Sequence, residues 1–403
     1  MKILVISQYF WPENFRVNDL CLELQNRGHK VSVLTGKPNY PHGQLFEGYN
    51  FFSKKKENYN GVTVYRASLI PRGKGGSINL ILNYLSFAFF ACVRLFSITE
   101  NFDKIIVYQL SPATVGFPGL LAKWKFKAQL YFYIQDLWPE SLADAGGLNS
   151  KYILRIINSM MNLFYDKSTQ IWVQSTGFVQ YLENKGVNKS KIKILPNTVE
   201  SFYKPENILE KYKAYFPIGF NIVFAGNIGV AQDFDTIINA TILIKNKNVK
   251  INWIIIGDGR EKSKIIEKIK TLNLNEYFHF LGSYPTCEMP FFFACADALL
   301  VSLRSSKIFS LTIPSKLQSY LACGKPIIGN LDGIAASIIS ESNSGLCASS
   351  GDEKKLAFNI EAMFNKDLKE REQFGLNAFN YYLQNFERNL IYKKLEKYLN
   401  INV

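Results

Sequence analysis

The sequence is poor in the side chains that mark metal, redox and secreted proteins. Only three histidines occur in 403 residues, and the six cysteines, at 21, 92, 287, 295, 323 and 347, form no C-x-x-C pair and no mixed Cys/His spacing. That arithmetic argues against a structural zinc site and against a disulfide framework, and a reducing cytoplasm fits best. No Gly-x-Gly-x-x-Gly follows the first strand, so NAD or FAD binding loses its main support. No run of Lys and Arg resembles a nucleic-acid-binding arm, and no zinc finger or RNP-type motif accompanies the charge. The net charge of +14 therefore points to anionic partners other than nucleic acid: a membrane surface or phosphorylated substrates. The opening apolar run Ile3–Ile6 is too short for a signal-peptide core and reads as a buried strand. The longer run Ile78–Ile98 nearly reaches the ~20 residues of a spanning helix, but Asn79, Asn83 and Arg94 interrupt it. It fits a buried crossover helix or an interfacial helix dipping into lipid.

What is present is an alternation of short β-branched or aromatic runs with helical stretches. The runs are Lys2–Ile6, Val31–Leu34, Val62–Tyr65, Lys104–Tyr108, Leu130–Ile134, Ile171–Val173 and Ile192–Leu195, then Asn221–Ala225, Ile251–Ile256, Phe278–Leu281, Ala298–Val301 and Pro326–Ile328. This predicts an α/β chain of two doubly wound, Rossmann-like lobes. The lobes are expected at residues 1–200 and 201–379, joined through Leu195-Pro196-Asn197-Thr198, with an amphipathic C-terminal helix, 380–403, packing back onto the first. Ligands of such sheets bind at the carboxyl ends of the strands, in a cleft facing both lobes.

Several loops fall at those ends. After the first strand, Asn14 and Arg16 open a helix and can hold polar groups of an acceptor, or Asn14 can simply cap it. The basic loop Arg72-Gly73-Lys74-Gly75-Gly76 precedes the apolar helix, where Arg72, Lys74 and free backbone N–H groups suit a lipid phosphate or merely a solvated loop. In the second half, Gly226-Asn227-Ile228-Gly229 gives glycine-flanked backbone that a diphosphate can approach. Gly257-Asp258-Gly259 ends another strand in a tight turn. Asp233-Phe234-Asp235 has a metal-binding spacing but opens a helix and lacks a nearby third ligand, so no metal is expected. The most informative stretch runs from Thr312 to Ile328: Pro314 suits a first helical turn, Ser315 and Lys316 can meet phosphate oxygens there, and Gly324 ends the helix.

With Gly28-His29-Lys30-Val31 and Leu195-Pro196-Asn197, these motifs make the chain resemble the family-4 retaining glycosyltransferases over essentially its whole length. It is most similar to the bacterial polysaccharide branch that includes L-fucosamine transferases of O-antigen assembly. That branch shares Pro38–Gly43, Asp136-Leu137-Trp138-Pro139-Glu140-Ser141 and the Pro314–Ile327 stretch. The resemblance implies the GT-B fold, a UDP-sugar donor with no further cofactor, an undecaprenyl-diphosphate-linked saccharide acceptor, and peripheral attachment to the anionic cytoplasmic face of the inner membrane. The family's Glu-x7-Glu pair, however, falls on Leu311 and Ser319, its glycine-loop Arg and Lys on Asn227 and Gln232, and Gln135 stands where many relatives carry a His.

Other groups must then neutralise the diphosphate. Lys316, Arg304 and Lys307 are the cations available, beside Gly226, Ile228, Gly257, Gly259, Ser315 and Ser319, while Asp136 faces the sugar or takes the acceptor proton. Gln135 joins the acceptor group with Asn14, Arg16, Arg72 and Lys74. Two other outcomes stay open at this point: a membrane-associated nucleotide-sugar-binding protein without catalysis, and a hydrolysing UDP-sugar epimerase.

Overall fold

The computed structural model describes residues 1–73, 76–144, 150–247 and 249–400. The chain folds as two compact units, Met1–Leu195 with Tyr392–Val403, and Pro196–Ile391. The return to the first unit thus starts at residue 392 rather than 380, because Ala378, Tyr382 and Phe386 are buried in the core of the second.

In the first unit eight strands form one sheet: β1 (Lys2–Ile6), β2 (Lys30–Gly36), β3 (Lys56–Tyr59), β4 (Val62–Ala67), β5 (Lys104–Gln109), β6 (Gln129–Ile134), β7 (Gln170–Val173) and β8 (Ile192–Ile194). Their order is β3-β4-β2-β1-β5-β6-β7-β8. All pairs are parallel except β3 with β4. Strands such as Ile105-Ile106-Val107 are buried without alternation, as a sheet covered on both faces requires. β3 is absent from the sequence expectation because Lys-Glu-Asn-Tyr is polar. Its partner holds it through the two-residue turn Asn60-Gly61, both at positive φ (48° and 90°).

The second sheet has β9 (Phe220–Ala225), β10 (Ile251–Ile256), β11 (Phe278–Gly282), β12 (Ala298–Ser302), β13 (Ile327–Asn330) and β14 (Gly345–Ala348), ordered β11-β10-β9-β12-β13-β14 and all parallel. Alternate residues enter two cores. Ile222, Phe224, Trp253 and Leu300 pack on one face, Val223, Ile254, Leu299 and Val301 on the other. Each sheet reverses its winding once, between β1 and β5 and between β9 and β12, which are the switch points where ligands of such sheets bind.

The apolar run becomes the helix Ser77–Phe96, and its polar interruptions have structural roles. Asn83 is buried; its amide donates to Ile70 O (2.6 Å) and Asn39 Oδ1 (3.3 Å), and its Oδ1 accepts from Gln8 Nε2 (2.7 Å). Arg94 donates to Lys55 O (2.7 Å) and Ser97 Oγ (2.8 Å). The last helix, Arg388–Asn400, is amphipathic as expected: it buries Ile391, Leu395 and Leu399 and exposes Leu390.

Candidate active site

The carboxyl end of the second sheet is built around contacts between backbones. Gly226 (φ +137°) and Gly257 (φ +140°) adopt conformations that side chains disfavour, and a Cβ on Gly257 would lie 1.9 Å from Gly226 O. One on Gly259 would lie 2.1 Å from Ile228 O. These glycines therefore let the loops after β9 and β10 touch. The N–H groups of Gly226 and Ile228 are engaged by Ile256 O and Asp258 O, each at 2.8 Å, and the Ile228 side chain is buried. The donors expected there for a diphosphate are thus already taken within the loops. Gln232 closes the next turn: its Oε1 accepts from Gly229 N–H (3.1 Å) and Asn227 Nδ2 (3.4 Å).

Beneath this loop lies Lys316, near the start of the helix Ser315–Ala322. Its Nζ is buried, sits 3.7 Å from the Phe224 ring centroid, and has no hydrogen-bond partner in the structure. It is 3.3 Å from where a Cβ on Gly226 would be, so the glycine leaves room above the ammonium. Burial pushes its pKa down to about 7. A buried ammonium with no acceptor is costly, and a bound anion is the group that would satisfy it. Ser315 is exposed at the helix start, whereas Ser319 is buried and its Oγ donates back to Ser315 O (3.3 Å). Arg304 N–H binds Ala231 O (2.9 Å), and the residue lines a shallow, solvent-open depression with Ser306, Phe309, Asp332 and Ser350. Lys307 is exposed. The carboxylates of Asp233 and Asp235 each have a partner, Thr236 Oγ1 (2.7 Å) and Lys268 Nζ (2.5 Å), and no group of three potential metal ligands occurs among the described residues.

At the carboxyl end of the first sheet, Asp136 follows β6. Trp138 Nε1 donates to Ser111 Oγ (3.1 Å), and Ser111 Oγ donates to Asp136 Oδ2 (2.9 Å). The surrounding protein desolvates the carboxyl and raises its pKa, and the Ser111 bonds oppose that rise. Arg72 lies 5.2 Å from the Tyr40 ring centroid and 6.0 Å from that of Tyr9, and its charge also reaches Tyr84. Tyr84 in turn is within electrostatic range of Asp136. Gln135 is buried, its Oε1 accepting from Gln174 Nε2 (2.9 Å), and Arg16 lies within electrostatic range of Tyr133. Lys74 lies outside the described residues.

Asn14 is exposed and caps nothing, since Phe15 is the N-cap of the helix Arg16–Asn26. The loop is instead held by Asn18, bonded to Trp11 N–H (2.9 Å) and Glu13 O (2.7 Å). Buried Glu13 accepts from the N–H groups of Asn39 (2.8 Å) and Tyr40 (2.7 Å), and burial lifts its pKa to about 7. Sequence reading does not single out Ser111, Tyr84 or Glu13, although Tyr84 lies within the apolar run Ile78–Ile98. Glu140 accepts from Tyr181 and pairs with Lys185 (2.8 Å), a structural anchor.

Comparison with known proteins fits this geometry. Residues 14–198 match the model of the glycosyl transferase 4-like domain, and residues 219–381 match that of glycosyl transferases group 1. The chain is 26% identical over 297 residues to the probable glycosyltransferase WbjE of Pseudomonas aeruginosa, covering 70% of this chain and 71% of that one. It is 25% identical over 342 residues to the putative colanic acid biosynthesis glycosyl transferase WcaI of Escherichia coli K12, covering 80% and 82%. The Anabaena protein Alr3699/HepE, solved with UDP and glucose, superposes with a TM-score of 0.72 at 16% identity, covering 99% of each chain. The chain is thus a glycosyltransferase of the GT-B fold, a glycosyl transferase 4-like domain followed by a group 1 domain.

Proposed function

We propose that the protein transfers a sugar from a UDP-sugar to a lipid-linked saccharide during assembly of a bacterial surface polysaccharide. The observation that carries the reading is the buried, unpartnered Lys316 ammonium under the glycine loop. The names of the relatives support the polysaccharide setting, and the Anabaena complex supports UDP as the carrier. An undecaprenyl-diphosphate acceptor, an N-acetyl-fucosamine donor and action at the cytoplasmic face of the inner membrane belong to the same proposal and rest on the shared motifs.

The chemistry follows from charge. As the bond between the anomeric carbon and the diphosphate oxygen lengthens, negative charge grows on the diphosphate. A cation already held in place stabilises it without reorganisation, and without need of a metal or a further cofactor. The acceptor hydroxyl oxygen forms the new bond to the anomeric carbon, and its proton passes to Asp136, whose raised pKa suits a base. Retention of configuration is the family's outcome and is proposed here on that resemblance.

The test is transfer of labelled sugar from a panel of UDP-sugars, UDP-N-acetyl-fucosamine and UDP-N-acetyl-glucosamine among them, onto undecaprenyl-diphosphate-linked acceptors. A labelled lipid product, lost in Lys316→Ala, supports the reading. UDP binding without product supports a binding protein, and free-sugar interconversion without an acceptor supports an epimerase.

A further inference from the structure

The carboxyl ends of β1, β2 and β4 in the first sheet carry an aromatic cluster that the transfer step leaves unused. Tyr9 and Phe15, on the loop after β1, stack with centroids 5.0 Å apart and planes 19° apart. Tyr40, on the loop after β2, tilts against both, at 5.8 and 5.3 Å. Tyr40 is 41% exposed and Phe15 half-buried, so the cluster keeps an open apolar side. The guanidinium of Arg72, on the loop after β4, stands 5.2 Å from the Tyr40 centroid, and no carboxylate pairs with it among the described residues.

A buried polar network fixes these loops. Glu13 accepts from the N–H groups of Asn39 and Tyr40, and Asn39 Oδ1 accepts from Arg72 N–H (3.3 Å) and Asn83 Nδ2 (3.3 Å). Gly73 N–H donates to Gly43 O (2.8 Å), and a Cβ on Gly43 would lie 1.7 Å from Gly73 O, so the loops bearing Tyr40 and Arg72 are laced together. Rings and cation are thus held in place before any ligand arrives, which lowers the cost of binding one. The cluster also joins the base. The Tyr9 hydroxyl donates to that of Tyr84, the Tyr84 ring meets Trp138 at 6.2 Å, and Trp138 reaches Asp136 through Ser111.

The chemistry of the cluster selects its ligand. Aromatic faces suit the C–H face of a pyranose, whereas a guanidinium fork suits phosphate oxygens. A ring and an anion side by side occur together in a sugar bonded directly to phosphate. We infer that Tyr9, Phe15, Tyr40 and Arg72 form the subsite that recognises the acceptor by its phosphate-linked sugar, the ring lying on Phe15 and Tyr40 and the phosphate on Arg72. The inference rests on the reading of the protein as a transferase to lipid-linked saccharides, and adds the residues that set acceptor specificity.

The test separates the subsite from the reaction. N-acetylglucosamine 1-phosphate, N-acetylglucosamine and inorganic phosphate are titrated by NMR into the full chain with UDP in excess, which occupies the donor site. The sugar phosphate should bind at least about tenfold more tightly than either part. Arg72→Gln should weaken it on the order of tenfold or more, and Tyr40→Ala by about three- to tenfold, while Tyr40→Phe keeps wild-type affinity. UDP affinity and the thermal midpoint should stay the same in all three variants. In the transfer assay Arg72→Gln and Tyr40→Ala should raise KM for the lipid-linked acceptor and leave KM for the UDP-sugar unchanged.

Phosphate alone binding as tightly as the sugar phosphate overturns the inference, as does wild-type affinity in Tyr40→Ala. Product formed with a wild-type acceptor KM in both variants removes the subsite and leaves the transferase reading standing. Sugar phosphate binding that Tyr40→Ala weakens and Tyr40→Phe keeps, with no product from any donor, keeps the subsite and removes the transferase reading.

Discussion

The Lys316 ammonium lies over the Phe224 ring and has no acceptor, so in the proposed reaction the donor diphosphate would supply its counter-charge. Lys316→Met should lower kcat/KM by about 10²–10³-fold while leaving the unliganded protein as stable or more so. Its folded pKa of about 7 lies below the usual 10.5, so between those values the unfolded chain binds the additional proton and stability rises with pH. A bound diphosphate restores the proton. Calorimetry in buffers of different ionisation enthalpy should therefore record proton uptake on UDP binding above about pH 7, absent in Lys316→Met. Glu13 behaves in the opposite sense: its folded pKa of about 7 exceeds the usual 4.5, so the folded state binds the additional proton and stability falls as pH rises through that interval. Glu13→Gln keeps an acceptor for the Asn39 and Tyr40 N–H groups. It should flatten the fall of the thermal midpoint across that range. For Asp136, replacement by Asn should reduce kcat about 10²–10⁴-fold. Ser111→Ala, which removes the bond that holds the carboxyl pKa down, should shift the acid limb of the rate profile to higher pH.

At the level of elements, the loops after β9 and β10 hold each other through glycine. Gly257→Ala combines a Cβ 1.9 Å from Gly226 O with a φ of +140°, and should destabilise the second unit by more than about 2 kcal/mol, read by denaturant melts. Gly28→Ala meets nothing within 4 Å and should cost only the left-handed backbone strain, about 1–2 kcal/mol. Most strands were legible because buried parallel strands are written as short continuous apolar runs, and β1 and β10 match their expected ends. β3 and β14 were not: one is polar, the other is the four residues Gly-Leu-Cys-Ala, and pairing with a neighbour holds both. At the site, Lys316 could be found from its place before an apolar helical run. Ser111 could not, since it meets Asp136 only through the parallel pairing of β5 with β6. Asn83 was legible only as an interruption of an apolar run, because its partners Gln8, Asn39 and Ile70 lie far away in sequence.

Over the whole molecule, the two units divide the labour between separate sheets, and the proposed UDP contacts all lie in the second. Hydrogen exchange with saturating UDP should slow amides in residues 224–232 and 312–322 and leave β1 and β5 unchanged. Protection spread evenly over both units would count against donor binding at Lys316. The division has a further consequence in time. The first unit is sealed by residues after 391: Tyr392 bonds Asp19 (3.2 Å), Glu396 meets His29 (3.1 Å), and Leu399 O accepts from Tyr131 (3.2 Å). On the ribosome those partners wait while the entire second unit is made, on the order of 10–40 s at ordinary elongation rates. The half that begins synthesis first is therefore the half that finishes folding last, with the Tyr131 and Trp172 side of its sheet uncovered in the interval.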